Sequence, residues 1–291
     1  MNKKEETIWG YIFMAPVIIG LSLFAIWPIF QSFFLSLHEW VGFGEKTFIG
    51  FQNFKEIAKD KEIYGAIYNT VRMTICALPI SIIISLIISS ILNSPSLKGK
   101  TIFRIIFYLP IITMPAAISI VFKYIFNYNY GIINQIIEFF GKEPIEWLGN
   151  PNYSWIVIVL IIVWSAIGSQ IIILLAALQN IDYSMYEAAE IDGAGSIIKF
   201  FKITIPSISP TIFFLSVTGF ISMFQLFDLI FIMIGKNAGL ESTRTIVFQF
   251  FETAFVQTNR GMGAAIAVVI FFIIMLVTLI QKKFEKKYVH Y

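Results

Sequence analysis

Two apolar blocks of this 291-residue chain contain polar side chains at positions that would lie inside a membrane. A hydroxyl, amide or carboxylate at such a depth is costly to bury and usually faces a cavity, a partner helix or another polar group. Hydroxyls and amides beside an indole ring can hydrogen-bond a polar ligand and pack against its apolar face. The residues that we single out for such a binding path are Trp164, Ser169 and Gln170 in one block and Ser222, Gln225 and Asp228 in the other.

The spacing of the second set predicts a shared surface. If that block is one helix, Ser222, Gln225 and Asp228 are spaced i, i+3 and i+6 and lie on one broad face. An alternative places Asp228 near the outer rim, paired with Lys236 or with another helix, because the intervening 8 or so residues would span roughly 12 Å. For Ser222, Gln225 and the serines of the first block, a packing role between helices remains open as well.

No motif in the chain indicates catalysis or a metal centre. His38 and His290 stand far apart, Cys76 is the single cysteine, and no nucleophile motif is present. The tripeptide Gly99-Lys100-Thr101 resembles the end of a phosphate-binding loop, but Ser94 stands where that loop requires glycine. We therefore expect no enzyme activity, no metal and no cofactor in this chain, so any nucleotide chemistry belongs to another subunit.

The composition predicts a polytopic membrane protein. Hydrophobic residues make up 57% of the chain, charged residues only 13%, and the mean hydropathy is +0.79, whereas a soluble domain carries about 25% charged residues. The first apolar block is too long for the 7–15-residue core that is typical of a signal peptide, so we expect it to be retained. The six predicted spans cover approximately residues 8–37, 67–92, 102–126, 153–178, 208–234 and 261–280.

The distribution of basic residues predicts the orientation. The N-terminus, the connector 94–104 and the C-terminal tail hold nine Lys and Arg in 28 residues, against ten in 90 residues on the opposite side. In membrane proteins the cytoplasmic flanks carry the excess of Lys and Arg. We therefore expect a multi-pass protein of the cytoplasmic membrane with both termini in the cytoplasm. The polar stretch 182–206 falls on the same side.

That stretch has the signals of two short helices joined by a turn. Ser184 and Glu187 have the spacing of a capping box, which predicts the start of the first helix. Gly193 and Gly195 suit a left-handed turn at its end, and Pro206 is expected to close the second helix. The small side chains of Ala188 and Ala189 leave a surface that another backbone can approach closely.

The same residues resemble the signature of membrane subunits of binding-protein-dependent ABC importers. That signature is E-A-A, three residues, G, nine residues, I-x-L-P, and the chain carries it as Glu187, Ala188, Ala189, Gly193, Ile203 and Pro206. Three departures are Ile205 for the leucine, Ile181-Asp182 for the usual I-P, and Lys236-Asn237-Ala238-Gly239 for the usual G-G-P. The alternative interpretation of this stretch is a helix lying at the lipid interface.

The resemblance covers nearly the whole chain, and the chain is most similar to the first permease of carbohydrate importers. It implies an all-α protein with the type I ABC-importer transmembrane fold. In this family residues 182–206 form a cytoplasmic coupling loop that docks on a separate ATPase. The expected boundaries are 1–66 for the tail, first helix and external loop, 67–281 for the transmembrane core, and 282–291 for a basic tail.

The resemblance also implies partners and a cargo. The partners are a second homologous permease in a heterodimer, two cytoplasmic ATPase subunits that bind ATP, and an extracytoplasmic solute-binding protein. The expected cargo is a sugar or oligosaccharide, with glycerol 3-phosphate as an alternative. A transporter driven by an ion gradient is the alternative from another class. Pro110 and Pro115 either break the third span beside the transport path or form ordinary kinks.

Overall fold

The computed structural model describes residues 3–94 and 97–288, and most of these are helical. The predicted all-α class is therefore confirmed. His290, residues 95 and 96 of the connector, and the end of the predicted basic tail lie outside the described residues. The helices are α1 (Lys3–Leu21), α2 (Trp27–Ser36), α3 (Gln52–Ile57), α4 (Lys61–Asn93), α5 (Lys100–Ile112), α6 (Pro115–Ile125), α7 (Ile132–Phe139), α8 (Pro151–Gln179), α9 (Tyr183–Ile191), α10 (Ser196–Lys199), α11 (Ile205–Ser207), α12 (Ser209–Phe224), α13 (Asp228–Met233), α14 (Leu240–Thr243), α15 (Ile246–Phe251) and α16 (Arg260–Tyr288).

Short π-helical turns and one hairpin complete these elements. The π-helical turns continue neighbouring α-helices and cover Ser22–Ile26, Phe200–Thr204 and Glu252–Val256. Two strands, β1 (His38–Glu39) and β2 (Thr47–Phe48), pair in antiparallel register with His38 opposite Phe48.

Six membrane spans are consistent with the described residues, but two of them are broken. Four helical stretches are long and apolar enough to cross a membrane unaided, namely Trp9–Ser36, Lys61–Asn93, Pro151–Gln179 and Arg260–Glu285. Two bent pairs also qualify, α5 with α6 at 102° and Ser196–Ser207 with α12 at 64°. The sequence analysis left a break of the third span at Pro110 or Pro115 open, and the bend between α5 and α6 confirms it. The prediction of the fifth span as one continuous helix was wrong.

A proline explains the break in the third span. Met114 is extended, with φ −60° and ψ 137°, and Pro115 opens α6. The ring of a proline disfavours the helical conformation of the residue before it, while the first turn of a new helix accommodates the missing N–H. Of the two prolines noted in the sequence, Pro115 therefore marks the break, whereas Pro110 lies inside α5.

The predicted fifth span, residues 208–234, is also interrupted. Its helix α12 ends at Phe224, and α13 begins only at Asp228. Because residues 225–227 leave the helical path, the expected i, i+3, i+6 face does not form. The hydroxyl of Thr245 donates to the carbonyl oxygen of Leu226 at 2.8 Å, so a neighbouring segment satisfies the exposed backbone of the break.

The chain divides into two compact units. The first runs up to Lys61 and includes Gln249–Phe272, and the second includes Glu62–Phe248 and continues from Ile273. In the first unit, the side-chain amide of Asn53 donates to the carbonyl oxygens of Ser36 at 2.9 Å and His38 at 3.1 Å. The amide of Gly261 donates to the carbonyl oxygen of Trp40 at 3.0 Å. These bonds hold the hairpin against α3 and the start of α16.

The core of the second unit is built around α8. Its residues Ile158, Ile161, Ile171 and Leu174 are fully buried, and α4 contributes Met73 and Ala77 to the same core. Helix α8 is apolar on nearly every side, which is typical of a helix that packs against several neighbours within a membrane.

A glycine allows α5 to approach α8 closely. A Cβ atom at Gly168 would lie 2.5 Å from the carbonyl oxygen of Phe107 and 3.0 Å from Cγ1 of Ile111. Real Cβ atoms do not approach backbone this closely, so any larger residue must displace α5. Small residues at helix contacts are how membrane helices pack without a hydrophobic driving force.

Polar side chains fasten α4 to α8. Nε2 of Gln170 donates to the hydroxyl of Ser81 at 3.0 Å, and Oε1 of Gln170 accepts from the hydroxyl of Ser85 at 2.9 Å. Gln170 is buried, as are both serines. The side-chain amide of Gln170, which we predicted to bind ligand, thus forms two hydrogen bonds inside the protein. It joins α4 to α8 at the wall of the cavity described below.

We expect Gly168→Ala to destabilise the protein by about 1–3 kcal/mol, because overpacking forces a backbone shift at α5. The matched control is Gly65→Ala in α4, where nothing lies within 4 Å of the added methyl group. That change should be neutral or stabilising by up to about 1 kcal/mol through helix propensity. Thermal unfolding in detergent measures both, and equal melting temperatures would contradict the proposed close contact.

We expect Gln170→Leu to lower stability by about 1 kcal/mol, because two buried hydrogen bonds between α4 and α8 are lost. Ser169→Ala is the control, since the Ser169 hydroxyl bonds only to the carbonyl oxygen of Ala166 within its own helix, at 3.0 Å. The comparison again uses thermal unfolding in detergent. A Gln170 variant as stable as the Ser169 variant would show that these hydrogen bonds between α4 and α8 do not contribute to stability.

Candidate functional site

The second unit contains a cavity of about 570 Å³ that is bordered by both broken spans. Its wall includes residues of α4, α5, α6, α8 and α12 and of the link to α13. None of its lining residues is Lys or Arg, and Asp228 is the one carboxylate among them. The polar lining residues are Ser81, Thr113, Ser165, Ser169, Gln170, Thr218, Ser222, Gln225 and Asp228.

The cavity brings together five of the six residues that the sequence singled out. Ser169 and Gln170 reach it from α8, while Ser222, Gln225 and Asp228 reach it from the interrupted fifth span. The three residues of the fifth span converge because the chain turns after Phe224. The expected helical spacing was wrong, and the break replaces it as the cause of their proximity.

Trp164 does not line this cavity. Its indole ring packs edge-on against the ring of Phe122 on α6, with 5.2 Å between the ring centroids. The contact connects α8 to the second half of the third span. The indole ring that we expected beside the polar groups therefore packs against Phe122 and is not part of the cavity wall.

Asp228 points into open space. Its side chain is exposed, and among the described residues it forms neither the expected ion pair with Lys236 nor another one. At a membrane position a carboxylate without a paired cation is stable only where water or a polar ligand can reach it. The cavity provides that access, so its wall offers hydroxyls, amides and one negative charge.

Sequence reasoning missed the contribution of the second and third spans. Ser81 on α4 and Thr113 at the break of the third span both line the cavity. A signal was present, because Ser81, Ser85 and Ser89 recur every fourth residue and define one polar stripe on α4. That stripe faces α8, and Ser81 lies at its edge.

The coupling loop, residues 182–206, begins differently from the prediction. The N-cap of α9 is Asp182, whose carboxylate accepts from the amide of Ser184 at 3.0 Å. The prediction of a capping box at Ser184 and Glu187 is therefore wrong, because the helix starts at Tyr183 and Ser184 already lies inside it. Hydrogen bonds from the backbone and the hydroxyl of Ser184 hold the pKa of the Asp182 carboxyl below its usual value, so the cap is ionised at neutral pH.

Only one of the two predicted turn glycines is left-handed. Gly193 has φ +75°, which favours glycine, and it comes directly after Asp192, the C-cap of α9. Gly195 is extended, with φ −70° and ψ 165°, and is the N-cap of α10. Pro206 lies in α11, one residue before the helix ends and α12 bends away. Gly193 makes the turn between the two arms of the loop. We call α9 the first arm and residues 195–206 the return arm.

The coupling loop presents an unusually apolar surface. No residue of α9 is buried, Glu187 and Ala188 are exposed, and Ala189 is half-buried. Ile191 is 88% exposed and Ile197 76%. Large apolar side chains gathered on one exposed loop are typical of a surface that contacts another protein or the membrane. The exposed apolar residues are Tyr183, Met185, Ile191, Ile197, Ile198 and Phe201.

Comparison with known proteins gives the family. The family described as "Binding-protein-dependent transport system inner membrane component" matches residues 73–290. The probable ABC transporter permease protein YesP of Bacillus subtilis is 36% identical, over 99% of this chain and 94% of its own length. The lactose transport system permease protein LacF of Rhizobium radiobacter is 34% identical, over 96% and 94%. The trehalose/maltose transport system permease protein MalF of Thermococcus litoralis is 30% identical, over 97% and 95%.

A solved structure supports the fold. The crystal structure of a bacterial alginate ABC transporter, in complex with a periplasmic protein bound to alginate pentasaccharide, contains a similar chain. The two superpose with a TM-score of 0.86 at 20% identity, over 97% of this chain and 96% of that one. The predicted type I importer fold and the resemblance inferred from the coupling loop are thus confirmed. The chain is a membrane protein and belongs to the family of inner membrane components of binding-protein-dependent transport systems.

Proposed function

We propose that this chain is the permease subunit of an ATP-driven importer and forms half of a path for a sugar or oligosaccharide across the cytoplasmic membrane. The observation that carries the proposal is the coupling loop, on which Glu187 and several large apolar side chains are exposed. Such a surface, in a chain that lacks a nucleotide-binding motif, fits a separate ATPase. The family to which the chain belongs supports the same assignment.

The cavity supports a carbohydrate cargo. Sugars offer many hydroxyls and no net charge, and Ser169, Ser222 and Gln225 supply hydroxyl and amide groups that can pair with them. Asp228 can accept hydrogen bonds from two hydroxyls at once. The alternative cargo, glycerol 3-phosphate, would bring a second negative charge to a wall that offers no Lys or Arg. The relatives named for lactose and for trehalose and maltose agree with the carbohydrate.

The partners follow from what one permease lacks. A second homologous permease would close the open side of the cavity, two cytoplasmic ATPase subunits would bind ATP and the coupling loops, and an external binding protein would deliver the solute. The chain itself would then need no cofactor. In this arrangement both termini lie in the cytoplasm with the coupling loop, as the distribution of Lys and Arg predicts.

Transport would proceed by alternating access. Closure of the ATPase subunits on ATP moves the two coupling loops, and each loop passes that movement to the spans at its ends. Ala188 and Ala189 allow close contact with the ATPase groove, Glu187 supplies a polar anchor, and Gly193 sets the angle between the two arms. Ile203 and Pro206 lie on the return arm that leads into α12.

Sealed vesicles that contain the complete importer and its external binding protein test the proposed function. We expect uptake of radiolabelled lactose, maltose or arabinotriose only when ATP is present on the ATPase side. Ionophores that collapse proton and sodium gradients should leave this uptake unchanged. Uptake that needs a gradient and no ATP would instead establish a secondary transporter, and failure of this chain to co-purify with any ATPase would also overturn the proposal.

We expect Glu187→Lys and Gly193→Asp to abolish ATP-driven uptake while the chain still inserts into the membrane. The first reverses a charge on the exposed docking surface, and the second places a side chain at φ +75°, where only glycine is unstrained. Gly195→Ala is the matched control, because Gly195 is extended and nothing lies within 4 Å of an added methyl group. Normal uptake by the two loop variants would rule out this role for the loop.

A further inference from the structure

The first arm of the coupling loop presents two polar side chains to the return arm. The hydroxyls of Tyr186 and Thr204 lie 2.8 Å apart, and Nζ of Lys199 lies 2.5 Å from Oε1 of Glu190. Tyr186 and Glu190 are four residues apart on α9, so they share one face of that helix. We call these two contacts the brace.

On the return arm, the spacing does not fit an α-helix. Lys199 and Thr204 are five residues apart, and in an α-helix such residues point roughly 140° away from each other. The turn between them, Phe200–Thr204, is instead π-helical. In a π-turn each residue bonds back to the fifth residue before it, which brings residues five apart to the same side. The hydroxyl of Thr204 also lies 3.4 Å from the carbonyl oxygen of Lys199.

The opposite side of the same turn is attached to the transmembrane core. Phe200 and Ile205 pack against a buried cluster that contains Leu86 of α4, Leu174 of α8 and Leu215 of α12. Thr204 itself is buried. The π-turn therefore has one side on the core of the spans and the other side on the first arm.

The first arm depends on this connection. No residue of α9 is buried, and a cavity of about 490 Å³ lies where the loop meets the ends of α4 and α8. The lining of that cavity includes all four residues of the brace. Within residues 97–288, the brace thus supplies the side-chain hydrogen bonds that join α9 to the return arm.

We propose that the π-turn Phe200–Thr204 sets the register of the coupling loop, so that Lys199 and Thr204 fasten the first arm to the core of the spans. This inference rests on the proposed function, because it assigns how movement of a docked ATPase reaches the cavity. Tyr186, Glu190, Lys199 and Thr204 are positioning residues in this scheme. An exposed ion pair alone stabilises little, so the effect lies in transmission rather than in folding.

The test uses the complete importer in inside-out membrane vesicles, with Cys76→Ala in this chain and no other reactive cysteine. Ser169→Cys places a reporter thiol in the first cavity. MgATP, vanadate and a charged, membrane-impermeant methanethiosulfonate reagent are added together on the ATPase side. In the reference protein, we expect ATP and vanadate to slow labelling by about fivefold or more, which is the usual range of coupling between sites.

Charge reversal breaks the brace and can be repaired. We expect Glu190→Lys and Lys199→Glu each to reduce the ATP effect to less than about twofold, while the complex still hydrolyses ATP. The double variant should restore the ATP effect, because it re-forms the ion pair with the charges exchanged. Lys202→Glu is the control, since Lys202 is exposed in the same turn and belongs to neither contact.

The register itself is tested by length. Deletion of Lys202 removes the extra residue of the π-turn and should abolish the ATP effect, whereas Lys202→Ala, at the same exposed position, should preserve it. Tyr186→Phe removes one hydroxyl with little risk to assembly and should weaken the effect measurably.

Each outcome has a definite meaning. An undiminished ATP effect in the deletion and single-charge variants would overturn the inference while leaving the importer intact. A double variant that assembles and hydrolyses ATP without recovering the effect would overturn the role of the ion pair. A reference protein whose labelling does not respond to ATP would overturn the proposed function and this inference with it.

Discussion

Backbone amide and carbonyl groups inside a bilayer have no water to bond to, so a membrane span can break only where other parts of the protein satisfy them. The break after α12 meets this constraint because Thr245 donates to the carbonyl oxygen of Leu226 at 2.8 Å. Near it, Nζ of Lys123 donates to the carbonyl oxygen of Ile232 at 2.9 Å. The break in the third span borders the same cavity. Two spans thus break beside the cavity, and at the break of the fifth span a neighbouring segment supplies a missing donor.

A rigid frame holds these irregular segments. Gln170, Ser81 and Ser85 fasten α4 to α8, and Gly168 lets α5 approach α8 closely. Elsewhere on α4, the side chains of Asn69 and Arg72 donate to carbonyl oxygens of the segment around α14, at 2.9 Å and 2.7 Å. Helices that are joined at several points are expected to move as one body, as the proposed alternating access requires.

The coupling loop has the opposite character. It buries little, exposes large apolar side chains, and holds its shape through an ionised N-cap, one left-handed glycine and two contacts between its arms. Such a segment gains much of its order from a partner, because its own contacts bury too little surface. A loosely held loop beside tightly joined helices agrees with the proposed role of the loop in passing movement from an ATPase to the cavity.

The sequence by itself determined the all-α class, the six apolar blocks and the two helical arms joined by a turn in residues 182–206, because each depends on residues that are close together in the chain. It also selected five residues that line the cavity, since polar groups in apolar blocks are conspicuous. It did not reveal the break at residues 225–227, which contain neither proline nor glycine, nor Asp182 as the cap. Only the tertiary structure decided these points and the exclusion of Trp164, because they depend on which distant segment satisfies a backbone group or fills a space, and periodicity along the chain carries no such information.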